Sequence, residues 1–87
     1  MPILFIPSLL RDLTDGQEKV IVPGTTVEQA LDALDARYPG VKERLVENHR
    51  LRPGISVFID GEQTRLRLRH PLTETSEVHF LPAIGGG

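Results

Sequence analysis

The chain contains no cysteine. A disulfide framework, a thiolate metal site and a cysteine nucleophile are thereby excluded, and the composition suits a reducing compartment, so a cytoplasmic location is expected. No apolar run approaches the ~18 residues that a membrane helix needs. The opening Met1-Pro2-Ile3-Leu4-Phe5-Ile6 lacks the basic flank and the length of a signal peptide. Basic excess is missing as well: Lys and Arg number 10 against 12 Asp and Glu, for a formal net charge of −2. That balance gives no general attraction to nucleic acid. His49, His70 and His79 stand apart without metal-ligand spacing, so no metal site is expected. At 87 residues the chain buries roughly 60–65% of its unfolded surface, enough for one modest core and too little for a deep catalytic cavity. These exclusions leave a small domain expected to act by meeting other proteins.

The pattern of what is present divides the chain into short elements. Ile3-Leu4-Phe5-Ile6 is apolar at every position between Pro2 and Pro7, the pattern of a strand buried on both faces. A polar connection follows, anchored by Leu9, Leu10 and Leu13 and turned at Asp15-Gly16. Glu18 to Val22 forms a second strand, stopped by Pro23-Gly24. Thr25 and Glu28 have capping-box spacing at the start of a helix whose apolar stripe is Val27, Ala30, Leu31 and Leu34, extended by Tyr38. Val41 to Glu47 adds one or two helical turns, and Asn48 to Gly54 reads as a loop. Ile55 to Ile59 is a third strand, turning at Asp60-Gly61 into Gln63-Thr64-Arg65. Leu66 to Leu72 fits either a strand or a short helical turn, and Glu77 to Leu81 is the last strand, closed by Pro82. One helix stripe facing one sheet makes an α+β fold, read as a single domain over 1–87. Pattern alone leaves the strand order open.

The end of the sequence, Ile84-Gly85-Gly86-Gly87, carries almost no side chains. At a usage of roughly 7% per position, three glycines in a row arise by chance about three times in ten thousand. A frayed end explains such a run, and so does chemistry. Backbone without Cβ atoms enters a narrow cleft, and nothing crowds attack at the last carbonyl. Other groupings carry less. Asp32 and Asp35 suit a solvated helix face better than a catalytic carboxylate pair, since no histidine lies near them in sequence. Arg65, Arg67 and Arg69 alternate with Leu66 and Leu68, which reads first as a salt-bridged edge that discourages sheet pairing. Docking to an acidic patch is the second reading. With Val57 and Ile59 inside, alternation turns Phe58 outward; with Val78 and Phe80 inside, it turns His79 and Leu81 outward. Lone apolar side chains on a surface are ordinary unless they join into one patch.

The segments Ile6-Pro7-Ser8-Leu9-Leu10-Arg11, Thr26-Val27-Glu28, Asp60-Gly61 and His70 to Pro82, ending in Gly86-Gly87, together resemble the MoaD/ThiS sulfur carriers. The two ends are most similar to the cysteine-synthesis (CysO-like) branch. The resemblance covers the whole chain. It implies the ubiquitin-like β-grasp, a mixed sheet packed on one main helix with the first and last strands parallel at its centre. It implies a carrier that is not itself an enzyme and binds no cofactor. An E1-like (MoeB/ThiF-type) enzyme would use ATP to adenylate the terminal carboxylate of Gly87, and sulfur would then replace AMP to give a thiocarboxylate for a downstream synthase. On this resemblance Ile84, Gly85 and Gly86 belong to a flexible tail over 83–87 inserted into the partner, and Phe58, His79 and Leu81 meet its surface. Gly85 is a mild departure, since the family commonly has another small residue there. A ubiquitin-like modifier joined through Gly87 to lysines would use the same tail, though Lys19 and Lys42 are the chain's only lysines.

Overall fold

The computed structural model describes residues 1–82. A five-stranded mixed sheet has the order β2-β1-β7-β5-β6, formed by β1 (Ile3–Phe5), β2 (Lys19–Ile21), β5 (Ile55–Ile59), β6 (Glu62–Gln63) and β7 (Glu77–Pro82). The first and last strands are parallel and adjacent, with Ile3 opposite Glu77 and Phe5 opposite His79, while every other pairing in this sheet is antiparallel. This is the α+β fold that the order of elements suggested, in the ubiquitin-like β-grasp arrangement that the resemblance implied.

One main helix, α1 (Val27–Arg37), covers the inner face. Its stripe of Val27, Ala30, Leu31 and Leu34 is fully buried and joins Leu4, Val20, Val57, Ile59, Val78 and Phe80 of the strands in one apolar cluster. The helix begins one residue later than capping-box spacing at Thr25 implies. Thr26 is the cap: its hydroxyl accepts from the Gln29 amide at 3.2 Å, while Gln29 Oε1 accepts from the Thr25 amide at 2.9 Å. The cause is tertiary. Val27 donates to the His70 carbonyl at 3.1 Å and Leu72 donates to that of Thr25 at 2.8 Å, which holds Thr26 extended.

Asp32 and Asp35 do more than face solvent. Asp35 Oδ1 accepts from the amides of Gly40 and Lys42, each at 3.1 Å, and so caps the short helix α2 (Val41–Leu45). Asp32 pairs with the Lys42 ammonium, and that hydrogen bond raises the lysine's pKa. The lysine's share of that stabilisation is therefore fully present just below the ordinary lysine range and is lost as pH climbs through the raised value.

Four regions depart from the sequence pattern or settle what it left open. The polar connection after β1 is a 3-10 helix over Ser8–Thr14 that buries Leu10. The helical turns expected over Val41 to Glu47 stop at Leu45: Val46–Glu47 is strand β3, paired with β4 (Arg50–Leu51) of the expected loop, and the turn residues Asn48 and His49 between them both have positive φ, 54° and 64°. Arg67–Arg69 forms a 3-10 turn, the second of the two conformations the pattern allowed. The first strand is buried on one face only: Leu4 and Ile6 lie in the core, whereas Ile3 and Phe5 stay half-exposed on the other.

Gly24 lets the chain pass from β2 onto α1. Its φ is +150°, and a Cβ there would come within 2.7 Å of the Ala30 nitrogen and 3.0 Å of its Cα, both backbone atoms of the helix. Gly24→Ala should therefore cost about 1–3 kcal/mol, the usual range for overpacking against atoms that cannot turn aside. Urea unfolding followed by circular dichroism checks this. An unchanged midpoint would show that helix and strand slide apart freely.

Candidate functional site

Alternation sends the odd residues of β1 and β7 and the even residues of β5 to the face opposite α1. In register across the sheet, Lys19 lies opposite Phe5, Phe5 opposite His79, His79 opposite Phe58 and Phe58 opposite Gln63. The imidazole of His79 stacks on the Phe5 ring with centroids 4.0 Å apart and planes 9° from parallel. Next to this row Ile3 lies opposite Ile21, and Leu81 opposite Ser56. Ile21 and Leu81 are half-exposed, at 54% and 50%, while Phe5, Phe58 and His79 cover one another in part.

The structure thus brings Phe58, His79 and Leu81 onto one face, with Phe58 and His79 direct cross-strand neighbours and Leu81 two residues further along β7. Their side chains do not stand singly among polar residues. They join Phe5, Ile3 and Ile21 in an apolar band across four strands, rimmed by exposed Lys19, Glu77 and Gln63. Phe5, Ile3 and Ile21 are the members that sequence reasoning missed. A uniformly apolar first strand hides its outward half, and only the parallel pairing with β7 shows which half that is.

Beyond His79, β7 has β5 as its neighbour but no longer β1, because the β1 pairing ends at Phe5 while β5 continues to Pro82. Pro82, the last described residue, lacks the N–H that would donate to a ladder. Ile84, Gly85, Gly86 and Gly87 lie outside the described residues. The band of exposed apolar side chains therefore runs along the strand that leads into the glycine-rich end.

Among the described residues no group of three His, Cys, Asp or Glu side chains is placed to hold a metal, and no helix is long and apolar enough to cross a membrane. His70 Nδ1 lies 2.6 Å from the Thr64 hydroxyl, a structural contact under the β6 edge.

Comparison with known proteins agrees with this geometry. Over 87 residues the chain is 31% identical to the sulfur carrier protein CysO of Mycobacterium tuberculosis, covering 94% of each chain. Its structure is similar to the crystal structure of the Amycolatopsis orientalis BexX/CysO complex, with a TM-score of 0.92, 31% identity and 100% of both chains covered. It is also similar to the small archaeal modifier protein SAMP1 of Haloferax volcanii, with a TM-score of 0.75 and 27% identity over 99% of this chain and 98% of that one. The ThiS family model matches residues 5–87, which takes in α1, β7, most of the open face and the terminal glycines. The chain belongs to the ThiS family.

Proposed function

We propose that this protein is a sulfur carrier whose Gly87 is loaded as a thiocarboxylate. The observation that carries the reading is the family match through to the terminal glycines, on a chain whose exposed apolar face adjoins them. A carboxylate is a poor electrophile until one oxygen becomes a good leaving group. An E1-like enzyme of the MoeB/ThiF type supplies that: a Gly87 carboxylate oxygen attacks the α-phosphorus of ATP, pyrophosphate leaves, and the glycyl adenylate forms. A sulfur nucleophile then attacks the carbonyl carbon and AMP departs. The product stays ionised at neutral pH and presents soft sulfur to a downstream synthase. Cysteine or a related thio-metabolite is the favoured destination, because the similar proteins are CysO carriers. The chain acts as carried group and recognition surface rather than as catalyst, and the ATP is bound and consumed by the partner. Phe58, His79 and Leu81 meet the activating enzyme, and Ile84, Gly85 and Gly86 enter its cleft.

The test is intact-protein mass spectrometry after incubation with such an enzyme, ATP and sulfide. The expected result is a mass increase equal to sulfur replacing one oxygen, located on Gly87. No increase, with an enzyme that charges a known relative in parallel, would reject the reading. The likeness to SAMP1 favours one second reading, a modifier joined through Gly87 to lysines. Peptides bearing a glycyl remnant from this chain on lysines of other proteins in cell extracts would establish it.

A further inference from the structure

Between the β3–β4 hairpin and the 3-10 turn at Arg67–Arg69 lies an open cleft that the sulfur chemistry leaves unused. Arg50, Arg65, Arg67 and Arg69 line it together with His49, and Glu47 is its one acidic residue. All four arginines are exposed, and among the described residues none forms an ion pair. Glu47 is already engaged by Arg52, at 3.4 Å. The salt-bridged edge expected for Arg65, Arg67 and Arg69 is therefore not what the chain builds. Buried Leu51 and Leu68 pin the two walls, so Arg50 on one side and Arg67 and Arg69 on the other are held at the surface. Arg67 takes a φ of 52°, unusual for a residue with a side chain. A chain of net charge −2 thus concentrates four unpaired guanidiniums in one place.

The position of the cleft says what it faces. Pro53 lines it, and Ile55, two residues on, pairs with Pro82 at the end of β7. Two residues span at most about 7 Å, so the Pro53 wall of the cleft lies close to the described end of β7. The geometry points to an acidic protein surface, a cluster of Asp and Glu side chains on the enzyme that activates the tail, as the partner of this cleft. Carboxylates match guanidinium forks in pairs. Nucleic acid fits less well, because no Phe, Tyr or Trp side chain lines the cleft for bases to stack on. This assignment rests on the carrier reading above and names a second contact of the same partner, distinct from the apolar sheet face.

Two measurements test it. In the first, binding of the full chain to the activating enzyme is followed at low and high salt for wild type, Arg65→Glu/Arg69→Glu and Arg44→Glu. Arg44 is an exposed α2 residue with no ion pair among the described residues and lies outside the cleft. The double variant should bind about tenfold more weakly or worse at low salt, with the gap closing as salt screens it, and Arg44→Glu should bind as wild type does. Equal losses in both variants, or none in either, would overturn the assignment. In the second, arginine Nε–H resonances of the chain alone are titrated with an octaglutamate peptide, inorganic phosphate and oligodeoxythymidine. Selective shifts of Arg50, Arg65, Arg67 and Arg69 with the peptide support the cleft as a carboxylate site. No shift, or stronger shifts with phosphate or the oligonucleotide, would sink it. Failure of wild type to gain sulfur would reject the carrier reading instead, and the titration would still decide what the cleft binds.

Discussion

A chain ending at Gly85 will gain no sulfur under conditions that load the full-length protein completely. The reason is reach. Each extended residue spans about 3.3–3.6 Å, so losing Gly86 and Gly87 sets the terminal carboxylate back by about 7 Å. Transfer to the α-phosphorus of ATP requires the reacting atoms within about 3–3.5 Å of each other, and a misplacement of even 1 Å costs on the order of a hundredfold. The fold itself should be untouched, because the described strands and the buried cluster all lie N-terminal to the deleted residues. The checks are intact mass after incubation with enzyme, ATP and sulfide, and thermal unfolding of the same two samples. Loading of the shortened chain at the wild-type rate would show that Gly87 is not the reactive terminus.

The second large effect belongs to the open sheet face. Phe58→Asp and Leu81→Asp each place a carboxylate in the apolar band, and each should slow enzyme-dependent loading by about 10- to 100-fold. Burying a Phe or Leu side chain at an interface is worth about 1.5–3 kcal/mol, and every 1.4 kcal/mol is about a factor of ten. Neither residue lies in the core: Leu81 is 50% exposed and Phe58 half-buried. Stability should accordingly change far less than it would for a core position such as Val57 or Leu31. Initial loading rates under subsaturating carrier, paired with urea midpoints, separate the two. If both variants load as fast as wild type while remaining folded, the band is not the docking surface.

Features set by local chemistry were legible in the sequence. The α1 stripe follows from helical spacing, the β5–β6 turn from Asp60-Gly61, and the outward direction of Phe58, His79 and Leu81 from simple alternation. Features decided by distant contacts were not. The helix cap slipped from Thr25 to Thr26 because a strand-like bridge to Pro71 fixes the backbone there. The β3–β4 hairpin turns through Asn48-His49, without the glycine that usually marks such a turn. Arg65, Arg67 and Arg69 looked like a neutralised edge because their lack of an ion-pair partner among the described residues became visible only in three dimensions. Ile3 and Phe5 were hidden among apolar neighbours that face the other way. The run of terminal glycines was conspicuous from composition alone, which needs no packing to be read.

The placement of β7 has a mechanical consequence. Over Glu77–His79 it is hydrogen-bonded to β1 on one side, and from Val78 to Pro82 it is paired with β5 on the other. Cross-strand hydrogen bonds run across the strand, perpendicular to it in the antiparallel pairing, so tension applied to the chain beyond Pro82 acts along the strand and loads the bonds in shear. They share the load and must yield together, rather than peeling open one at a time as they would under a pull across the strand. A partner that grips the tail, draws it into a narrow cleft and later releases it would be tugging on a well-anchored tether, and the sheet would hold its shape through the cycle.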